Sequence, residues 1–212
     1  TTRIAKNLFR KCYGIEEIEI PDTVTSIDSY AFENCKNLKD VKIGEGVVLI
    51  GNAAFFGCDS IKNVKIPDSV TKINSYAFQE CSALVGIEIP DSVTEIGIWA
   101  FGNCSELVEV KLSKHLKKME YCAFGNCNKL TEVEIPKSLE ECTDDDLFND
   151  RGSDCYLSGP FYNCQELKKI TFETGTTRIA KNLFRKCYGI EEIEIPDTVT
   201  SIDSYAFENC KN

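Results

Sequence analysis

Cysteine is the residue type in this chain whose number and spacing first suggest chemistry. Twelve cysteines occur in 212 residues, and nine of them lie three residues after a phenylalanine. Disulfide bonds and zinc binding are the usual reasons for so many thiols, but the sequence holds no C-x-x-C pair. The nine patterned residues are Cys12, Cys35, Cys58, Cys81, Cys104, Cys127, Cys164, Cys187 and Cys210.

The regular spacing argues against disulfides among those nine cysteines. At one position of a stacked repeat, neighbouring sulfurs lie about 5 Å apart, whereas an S–S bond needs ~2.05 Å. We therefore predict nine reduced thiols, buried as small apolar groups. Cys122, Cys142 and Cys155 fall outside the pattern, and the last two would close the loop between them in a secreted protein.

The other reactive side chains form no catalytic pattern. His115 is the only histidine, and the repeat gives it no cysteine or serine partner. Carboxylate pairs such as Glu132 and Glu134 follow a strand period and are not an acid–base pair of unlike environments. No phosphate-binding glycine loop or metal motif occurs. The sequence thus predicts no catalytic residues, no cofactor, no metal site and no enzyme activity.

The segments that carry these residues repeat every 23 positions. Apolar residues follow each cysteine at fixed spacing, and the polar–apolar alternation at 17–20 predicts a short strand with one buried face. Units of 23 residues cannot bury a core alone and must stack on each other. The phenylalanines that mark the units are Phe9, Phe32, Phe55, Phe78, Phe101, Phe124 and, after a gap of 37, Phe161, Phe184 and Phe207.

The predicted architecture is one domain over residues 1–212, a solenoid of about nine repeats. Each coil should contribute one short strand to a concave parallel sheet, in an α/β-class repeat solenoid that is mostly β and irregular with little helix. A 14-residue insertion near 141–155 breaks the period and is rich in aspartate. We favour a solvated acidic loop there over a calcium site, because the spacing does not fit an EF-hand.

One segment connects the repeat with a known family. Residues 66–84 read Ile-Pro-Asp-Ser-Val-Thr-Lys-Ile-Asn-Ser-Tyr-Ala-Phe-Gln-Glu-Cys-Ser-Ala-Leu, and this pattern resembles the BspA-like leucine-rich repeat over essentially the whole chain. The resemblance implies a right-handed horseshoe on the cell surface or secreted, often in adhesion, with no catalytic residues. A position usually held by Asn or Cys carries hydroxyls here, and we expect them to bond the adjacent coil at Thr23, Ser69, Ser92, Ser138 and Thr198.

Composition limits the classes of partner. The net charge is −10 and the pI is about 4.8, which disfavours nucleic acid because its binding depends on cationic side chains. No apolar run is long enough for a membrane span. The sequence has no start methionine or signal-like segment, so we expect a fragment or a processed piece.

The outward residues of the predicted strands are the candidate ligand-binding surface. Concave arrays of this kind are the usual binding surface of repeat proteins, and the expected ligand is a protein or glycan of a host surface or matrix. A second reading stays open, in which these residues only keep the sheet soluble and the chain is a structural spacer. The candidates are Glu17, Glu19, Asp40, Lys42, Asn63, Lys65, Glu88, Glu109, Lys111, Glu132, Glu134 and Lys169.

Two further features concern partners. A column of aromatic residues at Tyr30, Tyr76, Trp99 and Tyr205 would anchor a partner or, the reading we favour, cover the core. Residues 176–212 repeat residues 1–37 letter for letter at an offset of 175. Neither end carries a polar cap, so we expect the end coils to expose apolar residues and to associate end to end.

Overall fold

The chain forms a solenoid with two columns of parallel strands. A computed structural model describes residues 2–142, 158–191 and 193–210. The first column contains β2 (Glu17–Ile20), β4 (Asp40–Ile43), β6 (Asn63–Val64), β8 (Gly86–Glu88), β10 (Glu109–Lys111), β12 (Glu132–Ile135) and β14 (Lys169–Phe172). The second contains β1 (Arg3–Ile4), β3 (Ser26–Ile27), β5 (Leu49–Ile50), β7 (Lys72–Ile73), β9 (Glu95–Ile96), β11 (Lys118–Met119), β13 (Glu141–Cys142), β15 (Arg178–Ile179) and β16 (Ser201–Ile202).

Strand pairing follows the repeat period. Glu17 pairs with Asp40, one repeat of 23 residues away, and Glu132 pairs with Lys169 across the insertion. The first column is hydrogen-bonded as two sheets, β2-β4-β6 and β8-β10-β12-β14. The second column runs unbroken from β1 to β13, and β15 pairs with β16. Each outward side chain therefore lies next to its equivalents in the neighbouring coils.

Two parts of the sequence-based prediction need correction. Each regular coil contributes two strands, because the chain turns after the first strand and extends again for two residues, as at Ser26–Ile27. A two-residue strand is too short for the polar–apolar alternation to reveal it. The described residues contain no helix, so the assignment to the α/β class is replaced by a mostly β solenoid.

The phenylalanines form a continuous stack in the core, as predicted. The ring centroids of Phe32 and Phe55 lie 5.1 Å apart with an interplanar angle of 4°, and both side chains are fully buried. The stack continues across the insertion, where Phe124 and Phe161 are 5.7 Å apart. The inserted residues 143–157 lie outside the described part of the chain, so the predicted acidic loop and the Cys142–Cys155 pairing do too.

A tight return around each phenylalanine brings the chain back to the next strand. Residues two before and two after the ring adopt the left-handed region, as Tyr30 (φ 61°) and Asn34 (φ 58°) do around Phe32, except at Phe161, where only Asn163 does. Asparagine tolerates this region better than most residues. The amides also form a ladder, because Asn126 Nδ2 donates to Asn103 Oδ1 at 2.8 Å and Asn163 Nδ2 to Asn126 Oδ1 at 2.8 Å.

The patterned cysteines are free, and their thiols bond the neighbouring coil. Cys58 Sγ donates to the carbonyl of Phe32 at 3.1 Å, and this bond recurs along the stack. Burial raises the pKa of the Cys104 thiol to about 12. Seven of the nine are buried as predicted, while Cys12 and Cys210 in the end coils are partly exposed.

The hydroxyl positions bond the preceding coil, as expected from the repeat pattern. Ser69 Oγ donates to Val47 O at 2.6 Å, and Thr198 Oγ1 donates to Thr176 O at 2.7 Å. Ser92 and Ser138 make equivalent bonds. Thr23 in the first full coil is exposed and makes no such bond with a described residue.

Candidate functional site: the strand face

All twelve predicted surface residues lie exposed on one side of the molecule. They project from the first strand column, whose alternate residues point inward and pack in the core. We call the outward side chains of this column the strand face. The structure therefore brings the predicted candidates together as one array.

The lysines of the strand face are all engaged in ion pairs with the preceding coil. The Nζ atoms of Lys42, Lys65 and Lys169 lie 2.5, 2.9 and 2.7 Å from carboxylate oxygens, and Lys111 is paired in the same way. These contacts raise the pKa of Lys42, Lys65 and Lys111, mainly through the hydrogen bond. The pairs are Lys42–Glu19, Lys65–Glu45, Lys111–Glu88 and Lys169–Glu132.

The strand face also holds carboxylates that no lysine compensates. Glu17, Asp40, Glu109 and Glu134 form no ion pair with any described residue, and Glu17 lies directly beside Asp40 in the strand register. Glu109 lies beside Glu132 in the same way. Adjacent like charges repel each other across a sheet, so an acidic surplus remains that a cationic partner would neutralise.

Three shallow depressions lie along the strand face. One of about 540 Å³ covers β2, β4 and β6, and one of about 550 Å³ lies where the sheet is interrupted between β6 and β8. The largest, about 790 Å³, covers β10, β12 and β14. Small-molecule sites are usually apolar and enclosed, whereas charged and exposed side chains border these depressions. Their character suits a protein surface better than a buried small ligand.

Sequence reasoning missed the corner residues that border the depressions. Glu45 pairs with Lys65 and directly follows Gly44. Most repeats have proline at the position of Gly44, and this departure from the repeat was the signal in the sequence that marked the corner as different. Glu173 and Thr174 border the largest depression from the corner after β14. Lys114 borders two depressions from the corner after β10. The strand period alone does not report corner residues.

The other aromatic candidates lie outside the strand column, in the return around each phenylalanine. Tyr30, Tyr76 and Tyr205 are exposed by 38%, 37% and 50%, so these rings do not cover the core as fully as the preferred reading expected. Trp99 is half-buried and lies over Gly102, where an added Cβ would come within 2.1 Å of the indole. Trp99 therefore fills space that a side chain occupies in other repeats.

His115 and possible metal ligands give no separate site. His115 is exposed, and its Nδ1 lies 3.0 Å from the carbonyl oxygen of Asp91. Over residues 2–142, 158–191 and 193–210, no group of three or more His, Cys, Asp or Glu side chains is placed to hold a metal ion. No helix in that same part of the chain is long and apolar enough to cross a membrane.

The solenoid, its 23-residue period and its strand column define a leucine-rich-repeat protein. A family model for the BspA type leucine rich repeat region matches residues 2–97, 83–152 and 157–212. The chain belongs to this family of repeat proteins, and the resemblance inferred from residues 66–84 is confirmed. Leucine-rich-repeat modules generally bind proteins, and the class is typically non-enzymatic. A search of curated proteins found no match.

Solved structures agree with this assignment. A leucine-rich repeat protein from Bacteroides ovatus matches with a TM-score of 0.63 and 26% identity, over 99% of this chain and 68% of its own. A leucine rich cell surface protein from Faecalibacterium prausnitzii matches with 0.62 and 25%, over 99% and 75%. A leucine rich repeat protein of T. pallidum, with 0.58 and 22% over 94% and 73%, is similar in fold alone.

Proposed function

We propose that the chain is a cell-surface or secreted adhesion module that binds a protein through the strand face. The observation that carries this proposal is the set of uncompensated carboxylates on the strand face, with Glu17 and Asp40 beside one depression and Glu109 and Glu134 beside the largest. A rigid acidic array selects a partner with a basic patch, because complementary charge speeds encounter and excludes wrong partners. One solved relative is a cell surface protein, which supports the location.

The proposal treats residues 1–212 as a single right-handed, curved domain with the strand face on its concave side. The continuous phenylalanine stack supports one domain. The partner would be a protein of a host surface or matrix, and a glycan would bind the same surface. Nucleic acid is disfavoured by the net charge of −10.

A structural spacer is the second candidate. The observation that favours it is the internal neutralisation of all four lysines of the strand face. A spacer needs a stiff, soluble rod and no ligand, so its surface charges serve only solubility. The two candidates differ in whether the uncompensated carboxylates affect capture of any partner.

Charge reversals that the repeat already tolerates give a sharp test. In Glu109→Lys/Glu134→Lys, each new lysine stands where other coils have Lys169 or Lys111, so folding should be preserved. Glu80→Lys is the matched control, since Lys11 and Lys186 hold the same left-handed position in their coils. The immobilised variants would be compared with the parent chain against matrix proteins and glycans in a pull-down.

We expect the double variant to lose at least tenfold in capture of a basic protein and the control to retain it. Capture should also weaken as salt rises, because exposed charges are screened. Capture of a glycan in place of a protein would revise the ligand class. No capture by the parent chain would favour the spacer, and equal capture by parent and double variant would show that binding does not depend on these carboxylates.

A further inference from the structure

Two exposed valines interrupt a row of polar residues along the rim of the strand face. The row lies four residues after the patterned cysteines, one position before strands such as β8 and β10. Val85 and Val108 are 47% and 41% exposed in this row. The other coils expose charged residues or threonine at the same position, namely Glu16, Lys39, Lys62, Thr131, Lys168 and Glu191.

The two valines lie side by side on neighbouring coils. The N–H of Val108 donates to the carbonyl of Val85 at 2.9 Å. Single exposed apolar residues are ordinary on protein surfaces, but these two form one continuous apolar surface. Strand propensity favours valine equally in every coil, so it does not explain why two neighbouring coils carry it where the others are polar.

Gly86 leaves a gap beside the valines that the fold does not require. It is the outward residue at the start of β8, where the neighbouring coils carry Asn63 and Glu109. An added Cβ would meet nothing nearer than the carbonyl oxygen of Glu109 at 3.8 Å, which is an ordinary contact, and the φ of Gly86 is not positive. Glycine weakens a strand and often marks a site where a ligand or another backbone approaches closely. The gap therefore opens the backbone of β8 to a partner.

The charges on the two sides of this gap differ in sign. Glu109 faces Gly86 in the strand register and has Glu132 on its other side, and it forms no ion pair with a described residue. Lys62 lies on the opposite side, where its carbonyl accepts a hydrogen bond from the N–H of Val85 at 3.0 Å. A side chain seated on the valines would thus have a carboxylate to neutralise on the side of Glu109 only.

We propose that Val85, Gly86 and Val108, the valine patch, seat one apolar side chain of a protein partner whose neighbouring lysine or arginine binds Glu109. The inference rests on the proposed function and narrows its partner to a protein. Interfaces depend on a few apolar anchors surrounded by polar residues. Lys62 and Thr131 end the apolar surface one coil away on each side, so the patch has room for one anchor.

Two end-blocked pentapeptides serve as probes, each with four lysines around a central phenylalanine or alanine. The alanine peptide measures the charge contact alone, and the phenylalanine peptide adds the anchor. We expect the 212-residue chain to bind the phenylalanine peptide about fivefold more tightly, because part of one ring is buried. Anisotropy titrations at low salt measure the two affinities, and NMR amide signals of Gly86 and Val108 should shift more with the phenylalanine peptide.

Substitutions drawn from other coils remove the patch without changing the net charge. Val85→Thr/Val108→Thr introduces the residue type that Thr131 provides in another coil, and Gly86→Asn fills the gap as Asn63 does. Each variant should reduce the preference for phenylalanine to less than about twofold. Because the two variants alter different side chains, agreement between them excludes a folding defect as the cause.

Val48→Thr is the matched control. Val48 is 44% exposed, lies outside the strand face, and has Thr71 as its equivalent in the next coil. This variant loses as much exposed apolar surface as a single change in the patch, and it should keep the preference of the parent chain.

The outcomes separate this inference from the proposed function. Equal binding of both peptides by the parent chain, with loss of both in Glu109→Lys/Glu134→Lys, would overturn the anchor and leave the acidic strand face as the binding surface. A preference that survives in the patch variants, or that disappears in Val48→Thr as well, would also overturn the anchor. Binding of neither peptide up to millimolar concentration would contradict both the anchor and a basic partner.

Discussion

Residues 1–37 and 176–212 have the same sequence but different surroundings. In the first copy the following coil covers Ile27, which is buried, whereas no described coil covers Leu8, which is exposed. In the second copy the order is reversed, so Leu183 is buried and Ile202 is exposed. The comparison separates what the sequence of a coil determines from what its neighbours contribute.

The local conformation is the same in both copies. Asn7, Lys11, Tyr30 and Asn34 have positive φ values of 61°, 60°, 61° and 58°, and their equivalents have values between 58° and 62°. The turn conformation therefore does not depend on whether a coil is covered. Burial does depend on whether a neighbouring coil covers the residue. We therefore expect substitution of a covered apolar residue to lower the free energy of unfolding more than substitution of its uncovered equivalent.

The largest single loss of stability is expected for the phenylalanines. Phe32 is fully buried between the rings of Phe9 and Phe55, whereas Phe207 is half-buried against Phe184 only. Phe32→Ala should lower the free energy of unfolding by about 3–5 kcal/mol through the cavity it opens. Phe207→Ala should cost about half as much.

Denaturant titration of the two variants measures this difference. Phe78→Ala, in the middle of the stack, serves as a reference and should cost about 3–5 kcal/mol as well. Equal costs for Phe32 and Phe207 would mean that the end coil is covered in solution.

A reversed difference is expected for the leucines. Leu183→Ala should cost about 2–4 kcal/mol because that side chain is buried. Leu8→Ala should cost less than about 0.5 kcal/mol because that side chain is exposed and six other repeats carry alanine at its position. Thermal or chemical unfolding of both variants at low concentration would check it, and a similar loss for both would contradict it.

The core was predictable from the sequence because its residues recur with an unvarying period. The phenylalanine stack and the strand of Glu17–Ile20 follow from apolar spacing alone. The second strand column was not predictable, since two extended residues give no periodic signal. Nor did the period show that the Cys58 thiol bonds the Phe32 carbonyl, which gives the cysteine column a reason beyond size.

The strand face was predictable in membership but not in electrostatics. Alternation placed all twelve residues outward, because one face of each strand is buried. Whether Lys65 pairs with Glu45 depends on a corner that departs from the repeat, and only the structure reveals that contact. The acidic surplus of the strand face therefore depends on which carboxylates form ion pairs with lysines, and composition alone does not reveal those pairs.

Equivalent cysteines of the two copies can also be compared by the reactivity of their thiols. Burial raises the pKa of Cys187 to about 12, whereas its equivalent Cys12 is partly exposed. A thiol reagent at mildly alkaline pH should label Cys12 and Cys210 first and the buried thiols only after unfolding. Mass spectrometry would identify the labelled sites, and early labelling of Cys187 would contradict the packing.

The same shift predicts a loss of stability in alkali. An unfolded cysteine ionises near pH 8.5, and Cys187 in the folded protein ionises only near pH 12. Below the unfolded pKa the stabilisation is fully present, and it falls between these two values by about 1.4 kcal/mol per pH unit for each such thiol. Cys187→Ala should flatten the decline above pH 9.

The smallest difference is expected for the paired charges. In the first copy the carboxylate is the covered partner, with Glu33 side-chain exposure of 11% and Arg10 of 47%. In the second copy the arginine is covered, with Arg185 at 11% and Glu208 at 35%, and it also lies over the ring of Tyr205 at 4.8 Å. Glu208→Gln leaves a buried cation without its counter-charge and should cost about 1 kcal/mol. Glu33→Gln leaves an exposed arginine that water solvates and should cost at most about 0.5 kcal/mol. Chemical unfolding of both variants at low ionic strength measures the difference. A larger loss for Glu33→Gln than for Glu208→Gln would show that burial of the arginine does not determine how much these ion pairs contribute to stability.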